Sequence, residues 1–201
     1  LDALAACRRN GAWIDGALKQ VLKRDGLSGR DAAFASRIAY GVMQNRIYLD
    51  RCLARCLTQR PEKLEPLLLN ILRIGAYQIL LMDKVPVNAA VNEAVEMAKA
   101  HKLSRAAGLV NAVLRNVDRK RGEPLAFADE LEALSVQTSH PRALVERMVG
   151  LLGAEEAEAF LRADNEPVPT TIQTNTLKTT AKQLRASLED EGVTVEPHPW
   201  L

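Results

Sequence analysis

Residues 64–82 read LEPLLLNILRIGAYQILLM. Leu64, Leu67, Leu68, Ile71, Gly75 and Ile79 recur at helical spacing, which predicts an α-helix set against other helices. Asn70, Arg73 and Gln78 interrupt the apolar run. A membrane span needs roughly twenty consecutive apolar residues, so this stretch reads as core. Gly75 costs the helix about 1 kcal/mol relative to Ala, which predicts close approach of a neighbouring helix at that point. Arg73, an ion inside an apolar helix, calls for a carboxylate partner such as Glu93. Tyr77 reads as an internal hydrogen-bonder.

Working outward, the same period recurs on both sides. Upstream, a first helix runs from Leu1 to Arg9 and closes at Asn10-Gly11, and a second runs from Ile14 to Arg24. Ser28 and Asp31 suggest a capping box, with Leu27 stapled onto Ala32, ahead of a helix carrying Ala35, Ile38, Ala39 and Val42. A fourth places Leu49, Cys52, Leu53, Cys56 and Leu57 on one stripe and stops before Pro61. Downstream, a helix starting near Pro86 buries Val91, Ala94, Val95 and Ala98. Another, capped by Ser104, buries Ala107, Val110, Leu114 and Val117. Seven helices with loops of two to six residues predict an all-α bundle.

Past Gly122 the chain changes character. Residues 1–122 hold 21 Lys and Arg against 11 Asp and Glu, net +10, whereas residues 123–201 hold 6 against 14, net −8. The overall +2 hides a polyanion-binding half and an acidic half. We place the domain boundary in the polar run 119–124, giving domains 1–122 and 123–201. The second carries helices from Pro141 to Leu152 and from Glu155 to about Ala163. Val168–Thr174 and Val193–Glu196 are expected strands, with a helix capped by Thr180 and Gln183 between them. Strand, helix and strand alone cannot cover a sheet face. The expected class is mainly α, an all-helical bundle followed by a small, incomplete α+β segment. The start at Leu1 and the unfinished sheet read as a fragment of something longer. Three cysteines without paired spacing argue against a disulfide scaffold, and no signal sequence opens the chain; a cytoplasmic location is expected.

Three stretches carry a family resemblance: Leu72 to Leu80, Val85 to Val95, and Val110 to Arg115. Together they resemble the NusB-like domain, in the version fused to bacterial Sun-type ribosomal RNA cytosine-C5 methyltransferases. Thr138-Ser139-His140-Pro141, Asn165-Glu166-Pro167 and Thr174 to Lys178 are similar to the segment leading into the catalytic domain. Where that family carries Arg, one residue and Asn, this chain has Gln173 and Asn175. The resemblance implies S-adenosylmethionine as the full-length parent's cofactor, 16S ribosomal RNA as its partner, and a missing C-terminal catalytic domain as an intramolecular partner. It leaves a rival: a NusB-type antitermination factor binding leader RNA with a ribosomal protein.

The chemistry of methyl transfer is not expected within these residues. A dinucleotide-type cofactor turn needs clustered glycines, and the eleven glycines include no Gly-x-Gly. Cytosine C5 becomes nucleophilic only after a thiolate adds at C6; in the family that thiolate lies beside a proline, whereas Cys7, Cys52 and Cys56 follow Ala6, Arg51 and Arg55. No catalytic, cofactor or metal residue is assigned. Cys52 and Cys56 are read as core residues and His140 as a turn residue.

What remains is basic. Arg8 and Arg9 end the first helix; Arg115, Arg119, Lys120 and Arg121 end the seventh. These six are the candidate RNA-binding residues, with Arg46, Lys23 and Arg24 as weaker additions and Asn111 as an internal hydrogen-bonder. Helix-end cations also answer the helix dipole, so only part of this charge is expected to serve RNA. With eight aromatics, mostly at core spacing, base stacking on an exposed platform is not expected, and phosphate and shape should lead binding.

Overall fold

The computed structural model describes residues 1–167 and 170–198, apart from the side chains of Arg9 and Asn10. It divides into two compact units, Leu1–Asn165 and Glu166–Leu201. The first holds α1 (Asp2–Asn10), α2 (Ile14–Arg24), α3 (Gly29–Gln44), α4 (Arg46–Ala54), α5 (Pro66–Leu81), α6 (Val87–Ala100), α7 (Ala107–Arg119), α8 (Glu130–Thr138), α9 (Arg142–Leu152) and α10 (Ala154–Ala163). The second holds α11 (Ala181–Asp190).

The mainly helical class is what the sequence predicts, and α5 is its axis. Every residue from Leu68 to Ile79 is buried, and α1, α3, α4, α6 and α7 all pack against it. At Gly75 a neighbouring helix leaves no room for a side chain: a Cβ there would overlap the side chain of Leu114 on α7. Gly41 on α3 plays the same part toward the ring of Tyr77. A smaller cluster of Ala3, Ala17, Leu18 and Ala39 joins α1, α2 and α3.

Arg73 has its carboxylate, but from a different helix. Its Nε and Nη2 each donate to Asp50 at 2.7 Å, and Nη1 donates to Asn70 Oδ1 at 3.1 Å. Burial of Leu49 and Leu53 turns Asp50 toward α5, while Glu93 is exposed on α6. Ser28 makes no side-chain cap bond, and Ser104 does not cap α7: it opens a short 3-10 turn, Ser104–Ala106, and Ala106 stands at the N-cap. The Thr180–Gln183 capping box of α11 is present.

No strand occurs among the described residues, which corrects both expected strands. Val168 and Pro169 lie outside the described residues, and Thr170–Thr174 and Val193–Glu196 are irregular. The β-branched composition of these stretches supplies no ladder partner, and an isolated strand cannot stand without one. Asn175 organises a turn there instead, its Oδ1 accepting from Leu177 N at 3.1 Å.

The stretch between the boundary run 119–124 and Pro141, for which no element was expected, contains α8. Asp129 caps it by accepting from Glu132 N at 2.8 Å, and Glu132 Oε2 accepts from Ala128 N at 2.5 Å. At the far end Ser139 Oγ accepts from Ile47 N at 3.0 Å, an orphan donor of the first turn of α4. Asn165 Nδ2 donates to Thr138 O at 2.7 Å, and Gln44 Nε2 donates to Asn165 O at 3.0 Å. The charge step at Gly122 and the packing boundary at Asn165 fall in different places.

Candidate nucleic-acid interface

The amphipathic α7 buries Val110, Val113, Leu114 and Val117, which leaves Arg115 and Arg119 exposed one turn apart. Arg115 Nε donates to Asn111 Oδ1 at 3.1 Å, and Arg119 Nη2 donates to Asn116 Oδ1. Both acceptors are neutral, so both guanidinium charges stay uncompensated. Arg121 is exposed in the turn that follows. Lys120 is differently employed: its half-buried Nζ donates to the Arg55 carbonyl at 3.0 Å, answering the C-terminal end of α4. Arg55, which sequence reasoning did not single out, pairs with Glu123 at 2.7 Å.

Arg55, Lys120, Arg121 and Glu123 border a cavity of about 40 Å³ whose lining also includes Tyr48, Cys52 and Cys56. Both cysteines are half-buried rather than fully in the core. Burial pushes both thiols above the ordinary thiol range, the opposite of what a nucleophile or a metal ligand needs. His140 lies in the turn before Pro141, its Nε2 3.1 Å from Asp164 Oδ2.

The fold does not merge the two candidate basic groups. Arg8 is exposed at the end of α1, and the side chain of Arg9 lies outside the described residues. α1 rests on α2, α3 and α5, whereas α7 rests on α4, α5 and α6. Arg46 and Lys23 are exposed; Arg24 is held by Asp2 and Asp25, each at 2.7 Å.

The aromatic residues are more exposed than a core spacing predicts. Trp13 is 85% exposed, Phe34 47%, Tyr40 42% and Phe160 51%, so exposed aromatic faces exist. The signal was in the sequence: Ala35, Ile38, Ala39 and Val42 define the inner stripe of α3, and Phe34 and Tyr40 fall off it.

A groove along Arg185, Glu189 and Gly192–Val195 is open surface, and Arg185 pairs with Glu189 at 2.7 Å.

The NusB family model matches residues 1–119. The chain belongs to the NusB family. A second model, the ferredoxin-like domain of the RsmF/B-like methyltransferases, matches residues 140–201. The "Probable ribosomal RNA small subunit methyltransferase B" of Bacillus subtilis is 34% identical over 98% of this chain and 44% of its own length. The Synechocystis protein of that name is 32% identical over 92% of this chain and 42% of its own length. The NusB-family chain therefore spans less than half the length of these relatives. The solved structure of PH0851 superposes with a TM-score of 0.70 over the whole chain and 46% of its own, at 22% identity, a likeness of fold. Among the described residues no helix is long and apolar enough to cross a membrane.

Proposed function

We propose that this chain is the RNA-positioning part of an S-adenosylmethionine-dependent 16S ribosomal RNA (cytosine-C5) methyltransferase. It acts in the cytoplasm and is itself non-catalytic, the methyl-transfer chemistry belonging to a catalytic domain of the parent protein. The observation that carries this reading is the pairing of the two family matches in one chain, alongside relatives named as small-subunit methyltransferases across nearly its full length. A match beyond the NusB region favours the methyltransferase over the antitermination factor. In this reading residues 1–122 are the RNA-binding domain and 123–201 lead toward the catalytic portion. Arg115, Arg119 and Arg121 grip phosphates as charges without carboxylate partners, Lys120 adds its remaining N–H donors, and Arg8 and Arg9 make a separate contact.

Calorimetry and RNA titration test the two halves of the proposal. The chain should bind 16S ribosomal RNA fragments and give no saturable heat with S-adenosylmethionine. Stoichiometric cofactor binding would overturn the non-catalytic assignment. Indifference between ribosomal RNA and an arbitrary polyanion of equal length would overturn the substrate.

A further inference from the structure

The α2–α3 hairpin carries a surface that no group discussed above uses. Arg30, Phe34, Arg37 and Tyr40 follow one another on α3 at spacings of four, three and three, so they share its outer face. All four are exposed. Tyr40 Oη donates to Asp15 Oδ1 at 2.6 Å, which fixes the C-terminal half of α3 against the first turn of α2. Trp13 stands two residues before Asp15 and is 85% exposed. Lys19 lies one turn beyond Asp15, and Lys23 one turn further; both are exposed.

The charges on this hairpin are lopsided. Lys19, Lys23, Arg30 and Arg37 have no ion-pair partner among the described residues, while Asp25 pairs with Arg24 and Asp15 keeps its charge beneath the Tyr40 hydroxyl. With Asp15 and Asp31 counted, the hairpin stays net positive. Three exposed aromatic rings among four cations outside any ion pair complement a chain that offers both flat apolar faces and repeated negative charge. Single-stranded nucleic acid is such a chain, whereas an RNA duplex keeps its base faces stacked on one another and shows only base edges in its grooves.

We propose that Trp13, Phe34 and Tyr40 form a stacking surface for unpaired bases, with Lys19, Lys23, Arg30 and Arg37 holding the adjoining phosphates. This rests on the RNA-binding reading above and names the part of the RNA it recognises: a single-stranded segment, engaged independently of the α7 cluster.

Trp13 and Trp200 are the two tryptophans, so Trp200→Phe makes Trp13 the sole reporter. The probes are a single-stranded oligoadenosine, a duplex RNA of equal length and an abasic ribose-phosphate oligomer. Saturable quenching of Trp13 by the oligoadenosine is expected, with much weaker quenching by the other two. Phe34→Leu keeps apolar bulk but removes the ring. It should weaken oligoadenosine binding roughly tenfold while leaving the salt dependence unchanged, with circular dichroism confirming the fold. Equal affinity of Phe34→Leu and parent, or equal binding of the abasic oligomer, overturns the stacking surface and leaves phosphate-led binding intact. Failure of every RNA to bind overturns both readings. A Trp13 emission shift that follows protein concentration without RNA assigns the surface to a second copy and also overturns the proposal.

Discussion

At Arg73 the buried guanidinium is tolerable because Asp50 meets it with two bonds of 2.7 Å. Removing the partner strands the charge, so Asp50→Ala should destabilise the chain by on the order of 3 kcal/mol or more in urea unfolding. That Arg73 needs a carboxylate was legible from its apolar helix. Which carboxylate was not, because the crossing of α4 over α5 is a tertiary fact and Glu93 satisfies the sequence pattern equally well. Gly75 was read correctly for the same reason that it is costly: only packing explains a glycine in that position. Ala would recover about 1 kcal/mol of helix propensity. Overlap with Leu114 at Gly75, or with Tyr77 at Gly41, costs about 1–3 kcal/mol. Since both neighbours are buried, Gly75→Ala and Gly41→Ala should each lower the thermal midpoint. At Cys52 and Cys56 burial raises the thiol pKa, so the thiolate fraction near neutral pH lies below that of a free cysteine. Native thiol labelling should be slow at both, accelerate only above the ordinary thiol range, and become fast in denaturant. Fast native labelling at pH 7 would contradict their burial.

Helices were legible from apolar recurrence and turn signals for α1 to α7, and from their N-terminal signals, Pro141, Glu155 with Glu156, and Thr180 with Gln183, for α9 to α11. α8 escaped because it is short and joins two stretches already read by their charge. Its signature was nevertheless present: Asp129 followed three residues later by Glu132, the two that cap it. The two expected strands failed for the opposite reason. β-Branched composition describes what a strand prefers, and pairing decides whether one forms. α8 matters because its C-terminal turn completes α4. Ser139→Ala leaves Ile47 N without its acceptor and should cost about 1 kcal/mol, with faster amide exchange confined to the first turn of α4 and the end of α8. Uniform acceleration across the bundle would show that the contact is global rather than local.

Across the whole molecule, the charge asymmetry was fully legible and the surface it creates was not. Net charge says that residues 1–122 attract polyanions. Only the fold shows Lys120 half-buried with one N–H on the Arg55 carbonyl and Arg55 tied to Glu123, while Arg115, Arg119 and Arg121 have no carboxylate partner among the described residues. The fold likewise carries 123–165 into the first compact unit, so binding is best measured on the intact chain rather than on a piece cut at Gly122. The central claim is that this surface holds ribosomal RNA through phosphates. Its most direct test is the salt dependence of ribosomal RNA affinity in the intact chain and in a variant with Arg119, Lys120 and Arg121 replaced by Ala. Each phosphate contact on single strands contributes a log–log slope of roughly −0.7. The variant, folded by circular dichroism, should therefore lose about two units of slope. A folded variant that binds with the parent's slope would contradict the assignment of that surface to RNA.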